Sequence, residues 1–149
     1  DEAIQAMLTG LAFADIVKVS DDEVELLTGC RDFSEGARSL VSGGAKLALV
    51  TAGEQGTWYA SVSGIEGHIP SIKVDAVDTT GAGDTFLGAL LSGLLDYGRD
   101  LEGIPEQKLR RIIRFANVAG ALCATGRGAI ASMPNREQIL EQLEREAEG

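Results

Sequence analysis

Residues 78–86 read D-T-T-G-A-G-D-T-F, two aspartates bracketing a run of small residues, with the apolar stretch F-L-G-A-L-L-S-G-L-L beginning at its end. A strand-like I-K-V-D-A-V precedes the motif, and a helix begins within it. The first N–H groups of a helix have no internal acceptor, and the helix dipole favours negative charge beside them. Gly81, Ala82 and Gly83 carry nothing larger than a methyl, so a phosphate can come close to this backbone. Asp84 would repel that phosphate if it served only to bind. As a base it makes sense: the dipole keeps the carboxylate ionised, and it can take the proton of a hydroxyl attacking a phosphoryl group held by the neighbouring amides. General-base help is typically about 10²–10⁴-fold, and one oxyanion-type donor is worth about 10²–10³-fold. A carboxylate is too weak to ionise a sugar alcohol in advance, so its task is positioning, with late proton transfer in a loose transition state. The same letters also fit a plain helix start, in which Thr79 and Thr80 cap and the glycines only shape a turn.

Competing chemistries fall away on inspection. A Walker loop needs Gly-Lys-Ser/Thr, and Gly83 is followed by Asp84. A G-x-G-x-x-G dinucleotide fingerprint starting at Gly81 needs glycine where Phe86 stands. His68 is the only histidine, which excludes a Ser-His-Asp relay and a histidine-rich metal site within these residues. Cys30 and Cys123 are far apart with no C-x-x-C partner, so free thiols in a reducing compartment are expected rather than a disulfide or zinc framework.

The elements that must position the motif are legible from periodicity. D-I-V-K-V at 15–19 predicts a short strand, and S-D-D-E-V-E-L-L-T-G a helix capped by Ser20 and ended by Gly29. F-S-E-G-A-R-S-L-V-S-G-G predicts another helix, and K-L-A-L-V-T at 46–51 a strand buried on both faces. T-A-G-E-Q-G turns the chain into the partner strand T-W-Y-A-S-V, and residues 65–77 read as further strand, limited by Gly67 and Pro70. Beyond the motif, Phe86, Leu90 and Leu94 together with Leu87, Leu91 and Leu95 predict one apolar helical stripe. Gly88 and Gly93 interrupt it at about 1 kcal/mol each relative to Ala, a cost that fits either a close backbone contact or a weak helix. The next helix carries Leu109, Ile112, Ile113 and Ala116 opposite Lys108, Arg110 and Arg111, and a last one starts after Pro134 with Asn135 and Gln138 as reciprocal caps. Strands alternating with helices, then helices alone, predict an α/β fold with a largely parallel sheet between helical layers.

Bulk properties bound the function. The 149 residues are 44% hydrophobic, enough for one core, and the net charge of −10 argues against a nucleic-acid partner. No stretch approaches the roughly 18 apolar residues of a membrane span. The N-terminal D-E-A-I-Q-A-M-L-T-G lacks the basic-then-apolar order of a signal peptide, so a cytoplasmic location and no membrane partner are expected. There is no starting Met, and residues 3–13 look like the tail of a helix whose strand is absent, as though the chain were a piece of something longer.

D-T-T-G-A-G-D-T-F closely resembles the C-terminal signature of the PfkB, or ribokinase-like, family of carbohydrate kinases. A-D-I-V-K-V-S-D-D-E-V-E-L-L-T-G is similar to the matching segment of fructokinase-type members, and T-A-G-E-Q-G and F-A-N-V-A-G-A-L-C-A-T-G-R-G-A-I follow in the family's order. The resemblance covers nearly all the chain but only the C-terminal half of a typical member, without most sugar contacts, the lid and the first glycine signature. It implies a partial three-layer α/β/α fold with a mostly parallel sheet, forming the nucleotide-binding and catalytic part of an ATP-dependent sugar kinase. It implies Asp84 as catalytic base, the amides of Gly81, Ala82 and Gly83 as anion hole, and Thr51, Gly53 and Gly56 as a turn along the nucleotide. Asn117 matches a position lining the adenine pocket, although a solvent-facing Asn would read the same. Glu23 matches a residue tied to Mg²⁺ through water, while relatives often carry Asn where Ser20 stands; serine there leans towards fructokinases, and Ser20 with Glu23 is also a local capping box. Asp78, Thr80, Ala124, Gly128 and Ser132 match positions around a K⁺ site in some relatives, Asp78 being equally a turn cap. The partners implied are a small-molecule sugar and, through the absent lid, a second subunit. On its own the piece is expected to be inactive. A dinucleotide-binding oxidoreductase domain and a non-catalytic nucleotide-binding module are the alternatives.

Overall fold

The computed structural model describes residues 2–98 and 100–148, with no side chain for Ala3. They fall into two compact units. The first comprises the chain up to Ala52, Thr57–Ile69 and Asp100–Ile104; the second takes in Gly53–Gly56 and the remainder from Pro70 onward.

The first unit is a four-stranded sheet with helices on it. Helix α1 (Glu2–Leu11) leads into β1 (Ile16–Ser20), α2 (Asp21–Thr28), α3 (Phe33–Ser42), β2 (Leu47–Thr51), β3 (Thr57–Ser61) and β4 (Glu66–Ile69). The strand order is β1-β2-β3-β4. Strands β1 and β2 run parallel, with Val17 opposite Ala48 and Val19 opposite Val50, because two helices separate them in sequence and allow a crossover. Strands β2/β3 and β3/β4 are antiparallel. The sheet is therefore mixed, a correction to the mostly parallel sheet expected. The physical reason is loop length: only residues 52–56 join β2 to β3, too few for a crossover.

Val17, Val19, Ala48, Val50 and Ala60 from one face of the sheet form a core with Val24 and Leu27 of α2 and Ala37 and Leu40 of α3. Each fully buried Val or Leu contributes about 1.5–3 kcal/mol. On the other face of β2, Leu47 and Leu49 are equally buried, so the uninterrupted L-A-L-V reads as it should for a strand covered on both sides. Helix α2 ends at Gly29, whose N–H reaches Glu25 O, and the Asp32 side chain caps α3 by accepting from Glu35 N–H.

The second unit is helical. Helix α4 (Ala82–Tyr97), α5 (Glu106–Ala124) and α6 (Arg136–Glu148) are joined by loops, with a 3-10 turn at Ile130–Ser132. Phe86, Leu90 and Leu94 of α4 are buried, but Leu91 and Leu95 are 39% and 65% exposed. The single wide stripe expected is thus half as wide, since two neighbouring i, i+4 rows lie far enough apart around the helix for one to face water. Gly93 meets Ile112 of α5, which accounts for one interrupting glycine; a Cβ on Gly88 would touch nothing. Leu109, Ile112, Ile113 and Ala116 are buried while Lys108 and Arg111 are exposed, as their spacing predicts. Asn135 and Gln138 cap α6 reciprocally: Gln138 N–H donates to Asn135 Oδ1 at 2.9 Å and Asn135 N–H to Gln138 Oε1 at 2.8 Å. Arg136 pairs with Asp96 of α4 at 2.9 Å and lies over the Phe115 ring.

The strand expected across 65–77 stops at Ile69, and residues 70–79 have no regular structure. Pro70 lacks an amide for the ladder, and the amides of Val77 and Asp78 donate to Ala124 O.

Candidate active site

In the second unit, the D-T-T-G-A-G-D-T-F segment ends an irregular arm and starts α4. Gly81 is the N-cap residue, held at φ +81° in the left-handed region. A Cβ on it would lie 2.5 Å from Ala129 Cβ and 2.9 Å from Ala129 Cα, so glycine is required twice, by conformation and by space. Asp84 is the third residue of α4 and is exposed. Its side chain caps nothing and stands one turn into the positive end of a sixteen-residue helix.

The amides around it divide unequally. Ala82 N–H donates to Thr79 O at 3.1 Å, and Thr85 N–H closes the first helical turn on Gly81 O at 2.9 Å. Those of Gly81, Gly83 and Asp84 have no partner among the described residues. Of the three amides expected to form an anion hole, Gly81 and Gly83 are thus unengaged and Ala82 is turned inward to the preceding loop.

The arm before the helix is fastened at several points. Asp78 Oδ1 accepts from Thr80 N–H at 2.9 Å and its Oδ2 from Gly128 N–H at 3.1 Å. Val77 and Asp78 N–H both donate to Ala124 O, at 2.8 and 3.1 Å. The Thr80 side chain, the Thr80 amide and the Gly128 amide hold the Asp78 carboxyl below the ordinary aspartate range, in that order of weight. Gly128 is at φ +80°, and Gly126 packs against the Ser132 side chain. Buried Cys123 places its thiol 3.7 Å from Ala129 O beneath the same loop. Thus Asp78, Thr80, Ala124 and Gly128, singled out as potassium positions, are brought together. Both Asp78 oxygens and the Ala124 carbonyl accept N–H donors here.

Asn117 is only 6% exposed and donates from Nδ2 to Pro70 O at 3.4 Å, so the solvent-facing alternative is excluded. It ties α5 to the start of the arm. A cleft of about 350 Å³ opens where α5 ends, beside Thr125, Gly126, Ser132, Met133 and Gln138; Asp84 and the 81–83 backbone do not line it.

In the first unit, Ser20 and Thr51 are register partners at the carboxyl ends of the parallel pair β1 and β2, where open α/β sheets gather ligands. Thr51 Oγ1 reaches Val19 O at 3.3 Å. Glu23 is exposed and one of its carboxylate oxygens accepts from Ser20 N–H at 2.8 Å, which completes the Glu23 half of a capping box. The loop after Thr51 belongs to the second unit; Gly53 and Gly56 bound its single 3-10 turn at φ +51° and +93°, with Gly56 N–H on Gly53 O at 3.1 Å. Among the described residues, no group of three or more His, Cys, Asp or Glu side chains is arranged to hold a metal.

Two features escaped the sequence. Ala129 seals Gly81, a contact across 48 positions that no local pattern announces. Thr85 Oγ1, directly after Asp84, is buried and has no partner, the one such side-chain atom among the described residues.

Residues 1–136 match the family described as pfkB family carbohydrate kinase. The chain is similar to Fructokinase-1 of Oryza sativa subsp. japonica, 42% identical over 145 residues that make up 97% of this chain and 44% of that protein. It is also similar to the fructokinase of Vibrio cholerae O395 solved with fructose, ADP and calcium ion, at TM-score 0.82 and 30% identity over 94% of this chain and 44% of that one. The aminoimidazole riboside kinase of Salmonella enterica, solved with aminoimidazole riboside and an ATP analog, gives TM-score 0.79 and 33% identity over 96% of this chain and 46% of that one. The chain spans less than half the length of each of these three relatives.

Proposed function

The chain belongs to the pfkB family of carbohydrate kinases, and on that premise we propose that it supplies the nucleotide-binding and catalytic part of a fructokinase-type enzyme that phosphorylates a sugar hydroxyl with ATP. The observation that carries the proposal is Asp84 standing exposed at the start of α4 beside the unengaged amides of Gly81 and Gly83. An anion drawn to those amides brings its reactive end to a carboxylate that can accept the proton of the incoming alcohol. Ala82 N–H joins the anion hole only by leaving Thr79 O; Asp84's own amide is the third donor present without such a change.

Thr51, Gly53 and Gly56 are proposed to run along the nucleotide, and Asn117 to border its base through the segment it fixes at Pro70. Magnesium bound with the nucleotide neutralises phosphate charge and keeps several of its waters. Glu23 is the residue that would meet it, through water, and an exposed carboxylate with one oxygen committed to Ser20 N–H fits that indirect role. A potassium site at Asp78, Thr80, Ala124, Gly128 and Ser132 rests on the resemblance, with the Asp78 oxygens and the Ala124 carbonyl also accepting N–H donors of the loop.

The test is calorimetric titration of the full-length protein with ATP and with NADH, beside a phosphotransfer assay against fructose, ribose, 2-keto-3-deoxygluconate and nucleosides. ATP binding with phosphorylation of a sugar is the expected result. NADH binding without phosphotransfer would establish the oxidoreductase alternative, and ATP binding with no acceptor phosphorylated would leave a nucleotide-binding module.

A further inference from the structure

Resting on the kinase reading, we propose that Gly120 of α5 is a positioning residue: its bare backbone lies against the Ala82 carbonyl and thereby aims the Gly83 amide at the other end of the same peptide. Gly120 is buried in the interior of α5, where glycine is the poorest helix former after proline. Its backbone is helical, with no left-handed turn to require glycine. Space is the reason left. A Cβ on Gly120 would lie 3.0 Å from Ala82 O and 3.5 Å from Phe86 Cβ, one turn further along α4. The second is an ordinary contact. The first is inside the roughly 3.3–3.6 Å at which carbon rests on a carbonyl oxygen.

The peptide between Ala82 and Gly83 is planar and trans, so its oxygen and its N–H point in opposite directions from one rigid plate. The oxygen end faces Gly120, and the N–H end is one of the unengaged amides beside Asp84. The preceding peptide is held separately, by Ala82 N–H on Thr79 O. A side chain at position 120 must push the oxygen aside by a few tenths of an ångström, and the plate carries that displacement to the N–H as a tilt. Helix α4 begins at Ala82, so no earlier helical turn braces this peptide. A donor off its line stabilises developing charge poorly. Ground-state affinity for the nucleotide draws on many other contacts, so the cost falls on turnover rather than on KM. Gly93 supplies the comparison within the same pair of helices. A Cβ there would meet Ile112 Cγ2 at 2.9 Å, an equally tight approach of α4 to α5, but against a side chain and away from the first turn of α4.

The experiment measures kcat and the KM for ATP in the full-length protein for Gly120→Ala and Gly93→Ala, in buffer and with added trimethylamine N-oxide, which favours the folded state. In ¹⁵N-glycine-labelled protein without ligand, the amide resonance of Gly83 is followed alongside. A catalytic group misplaced by about 1 Å can cost about 10²-fold, so a few tenths of an ångström predicts a kcat about three- to tenfold lower in Gly120→Ala. The KM for ATP should hold, the osmolyte should not restore kcat, and the Gly83 resonance should move. Gly93→Ala, although destabilised, should keep the wild-type kcat and leave the Gly83 resonance in place. Unchanged kcat in Gly120→Ala, an equal loss in Gly93→Ala, a loss carried by KM, or recovery of kcat in the osmolyte would each overturn the proposal. So would a Gly120→Ala protein that fails to fold even with the osmolyte, because the contact would then hold the whole unit rather than aim one peptide. If the wild type phosphorylates no acceptor, the kinase reading fails, and the Gly83 resonance alone still decides the hold on the peptide: displacement supports it, and an unmoved resonance refutes it.

Discussion

Two glycines in one helix should respond to alanine with opposite signs. Gly88 and Gly93 both lie inside α4, where Ala in place of Gly gains about 0.8–1.0 kcal/mol of helix propensity. At Gly88 a new Cβ meets nothing within 4 Å and the site is exposed, so Gly88→Ala should realise that gain. At Gly93 the new Cβ would sit 2.9 Å from Ile112 Cγ2 and 3.2 Å from Ile112 Cγ1. Carbon atoms rest at about 3.5–4.0 Å, so the helices must part or the isoleucine must yield by more than half an ångström. Ile112 is buried, and a β-branched residue in a helix has essentially one χ1 rotamer, so it cannot swing away. Overpacking of this kind costs about 1–3 kcal/mol and outweighs the propensity gain. Urea denaturation of the two variants should therefore move the midpoint up for Gly88→Ala and down for Gly93→Ala, by up to about 2 kcal/mol. In an Ile112→Ala background the opposing methyls are gone, and Gly93→Ala should become stabilising. Gly93→Ala stabilising the unmodified protein as much as Gly88→Ala would refute the close approach of α4 and α5 on which this reasoning depends.

Three further outcomes follow from the same geometry. Gly81→Ala should lower stability by more than about 2 kcal/mol in thermal or urea melts, because the left-handed penalty of roughly 1–2 kcal/mol adds to a collision with Ala129. Asn135→Ala removes the acceptor for Gln138 N–H and should cost about 1 kcal/mol in the same assay. Thr85→Val replaces a buried hydroxyl that has no partner, so it should be neutral or stabilising by as much as about 1–3 kcal/mol; a loss of that size would reveal a water or another group bonded to Thr85 Oγ1.

What the sequence disclosed was mostly local. Ser20, Gly29, Asn135 and Gln138 announce helix ends because caps and left-handed stops act within four residues. L-A-L-V announces a strand covered on both faces because apolar continuity has few other uses. The strand drawn through 72–77 failed because apolar residues separated by Lys73 and Asp75 imitate alternation, while the amides of Val77 and Asp78 are drawn to Ala124 O by a contact the sequence does not display. Leu91 and Leu95 failed for a related reason: spacing by four identifies a row on a helix and not which row meets a neighbour. The antiparallel pairing of β2 with β3 was within reach, since five intervening residues forbid a crossover. At the site, the start of a helix within the small-residue run before Asp84 was legible from the motif itself. The commitment of Ala82 N–H to Thr79 O, the bridging by Asp78 and the seal by Ala129 were not, because each depends on coordinates of residues brought together by the fold.

Asp84 is the proposed base, and its carboxylate is the group to remove. Asparagine there keeps the size and the helix start but cannot accept a proton as a carboxylate does. In the full-length protein, sugar-dependent release of ADP by Asp84→Asn should fall by about 10²–10⁴-fold while ATP, titrated calorimetrically, binds with nearly unchanged affinity. Turnover equal to that of the unaltered enzyme would contradict the assignment of Asp84 as the base.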